Sequence, residues 1–427
     1  MVVFDYTPEF NKTKLENGVT VVTEHHRYTR ATCASVFVKM GTRHEPDHLN
    51  GVAHFLEHLV FKGTQSRSAL EILKTLEAVG GDLNAYTTRE YTCFHSTSLR
   101  EHLNLSMDVL TDITNNAVID PIEFDKERDV VLQEIDMTAD QLEEYIFDLC
   151  FEEAYAGHSL GRSILGTPEV LNAMTPDLVK DYYNKYYRGE NIIVAVAGDV
   201  VHDEVVKVCS EQLGIKVLEH QAPNGAEKAQ VKPFRKFVSR PSEQVHLLMN
   251  FPSSSYSSNN RFDAYMVNAI LGGGMTSRLY QKIREDKGWV YSVYSYLSSF
   301  TDTGTLSLYA GTTNEYALQV MQEFKNEVNR IVEEGVSQIE LDYFKRQVKG
   351  QILLGADDIE NRMTSIAVNE MVFGEYRSVQ NVIEEIEAVT PQGVEEYLKS
   401  MLNWKDAGIL VLGNCDVPTA DSILSIV

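Results

Sequence analysis

Tryptophan is nearly missing from this 427-residue chain, which has 2, and positive charge is scarce: 38 lysines and arginines face 62 aspartates and glutamates. The formal net charge of −24 repels phosphate backbones, so nucleic acid is not an expected partner. A basic peptide would be drawn to the same field, although the plainer use of excess acid is solubility. Cysteine is also sparse. Its five copies, Cys33, Cys93, Cys150, Cys209 and Cys415, are an odd number with no C-x-x-C pair. That argues against a disulfide framework and for free thiols in a reducing compartment. No apolar run approaches the roughly 18 residues of a membrane span; the longest, such as 192–197, are strand-length. The opening Met-Val-Val-Phe-Asp-Tyr lacks a basic segment followed by an apolar stretch, so no secretion signal is read there. The expected location is the cytoplasm, or the mitochondrial matrix if the chain is a mature form.

Hydrophobic residues make up 43% and charged residues 23%, the composition of a globular protein rather than a disordered tail, a collagen or a coiled coil. The length allows two or three domains. The chain also contains itself twice. Thr175-Pro176 with Val179 and Tyr182 recurs as Thr390-Pro391 with Val394 and Tyr397, and Gly413 follows Gly198 by the same 215 residues. Each copy reads as a helix capped by threonine with proline at its first position, then an apolar strand ending in glycine. Upstream, Ile122-Glu123-Phe124-Asp125 resembles Ile339-Glu340-Leu341-Asp342, displaced by 217.

Periodicity predicts strands over 18–25, 31–40, through 83–99 and over 191–198, with helices over 50–61, 67–79, 101–116, 121–155 and 168–186. In the second half strands are expected over 243–251, 289–299 and 304–311, and Met321, Phe324, Val328 and Ile331 fall at helical spacing. The expected fold class is α+β: two homologous domains from an internal duplication, each a mainly antiparallel sheet covered by one layer of helices. The expected division is 1–216, a linker over 217–235 around Ala222-Pro223-Asn224-Gly225, and 236–427.

The sharpest chemical signal is His54-Phe55-Leu56-Glu57-His58. On a helix His54 and His58 lie about 40° apart on one face, one turn from each other, with Glu57 beside them. Two imidazoles so placed can hold one metal ion, and the carboxylate can take a proton from water on that metal. A surface helix with two histidines is the plain alternative. A third ligand is required, and Glu134 is the candidate. Glu127 and Glu134 are seven apart, hence about two turns along one helical face, although paired glutamates on helices are usually just solvated. The duplication supplies an internal control. Displacements of 211 and 217 set His54, Glu57 and His58 against Tyr265, Asn268 and Ala269, and Glu127 and Glu134 against Phe344 and Gln351. The second copy keeps the framework and lacks every proposed metal-site residue.

With Phe61-Lys62-Gly63-Thr64 following the pentapeptide and Glu134 beyond 75 intervening residues, the chain resembles the inverzincin peptidases. This is the pitrilysin and insulin-degrading-enzyme superfamily, in its short branch typified by the mitochondrial processing peptidase β subunit and its bacterial relatives. The resemblance covers essentially the whole chain. It implies one Zn2+ per chain held by His54, His58 and Glu134, Glu57 as general base, and Glu127 as a carboxylate assisting the ligands. His and carboxylate ligands alone would also accept manganese or cobalt. Gly80-Gly81-Asp82-Leu83-Asn84-Ala85-Tyr86-Thr87 resembles the strand edge on which family members lay peptide, which assigns Asn84 and Ala85 to substrate backbone. Gly272-Gly273-Gly274-Met275 resembles the family's glycine-rich loop, and Arg284 and Tyr291 match its arginine–tyrosine pair, suited to hold a substrate carbonyl.

The function so implied is zinc endopeptidase action on extended, unfolded peptides, basic ones among them, inside a closed chamber. Long family members carry four such domains, whereas this chain has two and carries both residue sets, so a homodimer is expected. The alternative is a catalytically silent scaffold or partner subunit like the core proteins of the cytochrome bc1 complex, many of which have degenerate metal motifs.

Overall fold

The computed structural model describes residues 8–213 and 227–426, and they divide into two compact units. The first takes in the described parts of 1–135, 162–226 and 354–377; the second takes in 136–161, 227–353 and 378–426.

In the first unit β1 (Glu9–Lys14), β2 (Thr20–His25), β3 (Ala31–Val38), β4 (Asn84–Thr87), β5 (Thr92–Leu99) and β6 (Ile192–Gly198) form one sheet in the order β1-β2-β6-β3-β5-β4. Only the β2–β6 pairing is parallel. In the second unit β7 (Phe234–Ser239), β8 (Val245–Ser253), β9 (Val290–Ser299), β10 (Gly304–Thr312) and β11 (Gly408–Gly413) take the order β7-β11-β8-β10-β9, again with one parallel pair, β7–β11. Leaving out β1, the two orders correspond strand for strand, so the duplicated α+β reading holds. The repeated landmarks match in detail. Thr175 and Thr390 each cap a helix that begins with proline, and β6 and β11 each end at a glycine with φ near +120°.

The expected single helical layer is corrected by the structure. One face of the first sheet is covered by helices Val52–Val60, Leu103–Asn115 and Pro176–Tyr186, through Phe55, Leu110 and Tyr182 against Val36 and Val194. Its other face, with Val22, Cys33, Phe37, Ile193 and Ala195, packs on Met363, Ile366 and Ala367 of helix Ile359–Phe373, which comes from the second half of the chain. The second unit is reciprocal. Leu248, Tyr309 and Leu410 pack on Ile146, Leu149 and Phe151 of helix Leu142–Ala154, from the first half. Strand β6 is buried throughout because both of its faces are covered.

The helix expected over 121–155 is therefore two, Pro121–Asp140 and Leu142–Ala154, broken at Gln141 where ψ swings to 80°. No proline or glycine marks the break; packing requires it. The 168–186 helix likewise divides, at the Thr175 cap. Residues 217–226 of the expected linker lie outside the described residues. In its remainder, Ala229 and Phe234 join the second unit's core and β7 begins. Among the described residues no helix is long and apolar enough to cross a membrane.

The exchanged helix Ile359–Phe373 is tied down by a buried ion pair. Glu24 on β2 accepts from Arg362 Nε (2.8 Å) and Nη2 (2.7 Å) and from the Tyr376 hydroxyl (2.8 Å), and His26 Nε2 lies 2.7 Å away. Burial opposes its ionisation, but Arg362, His26 and Tyr376 together hold the carboxyl down at about 2. Removing one partner strands a buried charge, so Arg362→Met should cost about 3–5 kcal/mol in urea unfolding at neutral pH. Because the folded pKa is depressed, the Glu24 contribution is complete above its ordinary 4.5 and is lost as pH falls toward 2. The stability gap between the wild type and Glu24→Gln should narrow across that window.

Candidate metal centre

Helix Val52–Val60 presents two faces. Val52, Phe55, Leu56 and Leu59 enter the core, while His54, Glu57 and His58 face away from it. Its neighbour is the long helix Pro121–Asp140, whose Phe124, Glu127, Val131 and Glu134 follow one another at three- and four-residue steps along one face. Phe55 packs on Phe124 with ring centroids 4.8 Å apart, fixing one helix against the other. Glu127 and Glu134 then fall opposite the two histidines.

His54, His58 and Glu134 each offer a ligating atom, all within 4.8 Å of one another, the only such cluster among the described residues. Glu134 Oε1 stands 3.7 Å from His54 Nε2, and its Oε2 stands 3.5 Å from His58 Nε2. Tetrahedral ligands at about 2.0–2.1 Å from zinc sit about 3.3–3.4 Å apart, so the donor set and its spacing fit Zn2+ with little adjustment. His58 Nδ1 lies 3.1 Å from Glu127 Oε2, which directs Nε2 toward Glu134, and Lys62 Nζ pairs with the other Glu127 oxygen at 2.5 Å. Lys62 follows His58 by one turn, continuing the 54–58 spacing.

The electrostatics suit cation binding. Burial lowers the pKa of His54, reinforced by His58, which favours the neutral imidazole a metal needs. Burial also disfavours charge on His58, but the acceptors Glu134 and Glu127 outweigh it and raise its pKa. The hydrogen bond from His58 lowers that of Glu134. Glu57 behaves oppositely: burial pushes its pKa up, partly offset by a hydrogen bond from Thr87 Oγ1 to Oε2 at 2.5 Å. Thr87 was not singled out from sequence because its partner is 30 residues distant.

Thr87 lies on β4, the outermost strand of its sheet, together with Asn84 and Ala85. Asn84 is exposed, and its Oδ1 accepts from Ala85 N–H at 2.8 Å. In the second unit Arg284 and Tyr291 are brought together. The Arg284 guanidinium lies 5.2 Å from the Tyr291 ring and 4.8 Å from the Tyr280 ring, and it donates to the Tyr280 hydroxyl at 2.6 Å. Tyr280–Glu285 is a π-type turn, which sets Tyr280 and Arg284 side by side. Tyr291 is 76% exposed, so its hydroxyl is not spent on the core. In the glycine-rich loop a Cβ on Gly272 would come within 2.1 Å of Ser295 N, so close approach to β9 accounts for that glycine.

Two family profiles match the chain: "Insulinase (Peptidase family M16)" over residues 20–168 and "Peptidase M16 inactive domain" over 173–348. The chain is 33% identical to an uncharacterized zinc protease of Bacillus subtilis over 404 residues, 95% of this chain and 98% of the relative. It is 35% identical to one from Mycobacterium leprae over 408 residues, 94% and 91% of the two chains. A crystal structure of a protease from Helicobacter pylori matches with a TM-score of 0.89 at 20% identity, over 96% of this chain and 100% of that one, a likeness of fold.

The Lys62–Glu127–His58 chain should tune metal affinity. Glu127→Gln should weaken zinc binding by about 10- to 100-fold in competition with a chromogenic chelator, and Lys62→Met should shift it in the same direction by less. Unchanged affinity in both would show that Glu127 does not support His58.

Proposed function

This chain belongs to the insulinase family of zinc peptidases, peptidase family M16, and on that premise we propose that it is an endopeptidase that cuts extended, unfolded peptides. The observation that carries the reading is the convergence of His54, His58 and Glu134, with the carboxylate of Glu57 on the same helical turn.

His54, His58 and Glu134 would hold the zinc ion, which would supply Lewis acidity toward water and the peptide carbonyl. Glu57 is the base. Thr87 holds its Oε2, which leaves Oε1 to receive a proton and pass it to the departing amine. Burial raises the pKa of Glu57, which makes its carboxylate a better proton acceptor. Substrate adds to the open edge of β4 as one more strand at Asn84 and Ala85, using main-chain hydrogen bonds that make few demands on sequence. Arg284 and Tyr291 supply the cation and phenol that hold the carbonyl oxygen as charge develops on it. The working form is a homodimer whose chains enclose the substrate, and the excess of acid favours basic peptides.

Cleavage of a long, basic, unstructured peptide should stop with chelator and return with zinc. Glu57→Gln should lose about 100- to 10,000-fold in kcat while retaining zinc. Arg284→Met and Tyr291→Phe should lower kcat/KM without changing zinc content; if both cut normally, the carbonyl-holding role fails. A fully active monomer in light scattering contradicts the dimer, and equal turnover of acidic and basic peptides at low salt contradicts the charge preference.

A further inference from the structure

The two histidine ligands are supported differently. His58 has Glu127 on its second nitrogen, whereas His54 Nδ1 is buried with no hydrogen-bond partner. A ligand histidine is normally oriented through its second nitrogen. For His54, whose buried ring packs edge-on against His58 at 4.7 Å, that constraint falls to packing and to the backbone that carries it.

That backbone is clamped by a residue outside the motif. Helix Val52–Val60 has no side-chain cap, because its cap residue is Gly51, held at φ +94°. The missing acceptor is supplied from upstream. Glu45 Oε2 accepts from Gly51 N (2.7 Å) and Asn50 Nδ2 (3.0 Å), and Oε1 accepts from Ala53 N (2.7 Å), the residue next to His54. All three donors belong to the start of this one helix. Glu45 is almost completely buried, and the Arg162 guanidinium, which bonds its backbone carbonyl, acts on the carboxyl electrostatically without a hydrogen bond to it. Burial pushes the Glu45 carboxyl up to about 7, and the N–H groups of Ala53 and Gly51 with the Asn50 amide offset that only in part.

The clamp is itself anchored. Arg162 Nη1 donates to the Glu45 carbonyl oxygen (2.8 Å), and Asn50 Nδ2 also reaches the Ser163 carbonyl (3.1 Å). A Cβ on Gly51 would fall 2.7 Å from the Leu165 carbonyl oxygen, so the turn around Leu165 presses on the helix start.

Building on the zinc-peptidase reading, we propose that Glu45 is a positioning residue. By binding the first N–H groups of the motif helix it sets the direction of His54, the ligand with no hydrogen-bond partner on its second nitrogen, and so sets metal affinity from outside the ligand set.

The test uses the full chain and reads zinc directly. Glu45→Gln keeps the size of the side chain but turns an amide against a backbone donor. It should raise the zinc dissociation constant by about 10- to 100-fold in chelator competition. Glu45→Asp keeps the carboxyl on a shorter arm and should shift it in the same direction by less, which preserves the test if the glutamine variant does not fold. Ile72→Val, a mild loss of core in the same unit, should lower thermal stability and leave zinc affinity alone. Equal zinc affinity of folded Glu45→Gln or Glu45→Asp and the wild type would overturn the proposal while leaving the peptidase reading intact. A wild-type chain that bound no zinc would overturn both. Weakened binding supports the positioning role whether or not a given peptide is cut.

Discussion

The contact on which the site depends is apolar. Phe55 against Phe124 locks helix Val52–Val60 beside helix Pro121–Asp140, and both rings are fully buried. The chemistry-bearing residues ride on that contact: His54 and His58 are within four residues of one ring, and Glu127 and Glu134 lie one and three turns beyond the other. Burial of two aromatic side chains contributes several kcal/mol, by the order of magnitude for such groups. That apolar packing offsets the cost of holding two imidazoles and two carboxylates together before a cation arrives. Around it the polar supports form a sequence in which Lys62 holds Glu127 and Glu127 orients His58.

The duplicated half shows what becomes of the framework without a metal. At the position matching Glu127 stands Phe344, which joins the second unit's core. A buried carboxylate is worth keeping only where partners need it, and without histidines an aromatic ring is the cheaper occupant. The strand order, the Thr-Pro caps and the terminal glycines persist because they serve the sheet rather than the site. Exchange of the helices Leu142–Ala154 and Ile359–Phe373 means that neither half of the chain contains the cover for both faces of its own sheet.

Much of this was legible in sequence. The histidine–glutamate motif is local, and its helical spacing survives intact in the structure; the Thr-Pro repeat marks the duplication and two helix starts, and Gly198 and Gly413 mark two strand ends. What sequence did not disclose is non-local. The break at Gln141 carries no helix-stopping residue, since it is imposed by Ile146, Leu149 and Phe151 reaching another sheet. The continuous apolar character of β6 hinted that both its faces are covered, but not by which helix. Thr87 and Glu45 reach the motif helix from sites 30 residues downstream of Glu57 and six to eight residues upstream of Gly51 and Ala53, both outside the helix and so beyond its periodicity. Lys62 is the exception: its spacing from His58 was visible, and only its partner was not.

The central claim is that two imidazoles and one carboxylate from two helices of a single unit hold one zinc ion. X-ray absorption spectroscopy of the zinc-loaded protein tests it most directly. The account predicts one zinc per chain in a shell of nitrogen and oxygen alone at about 2.0–2.2 Å, with two imidazole signatures that fall to one in His58→Ala. Sulfur in the shell, or two imidazoles retained in that variant, would contradict it.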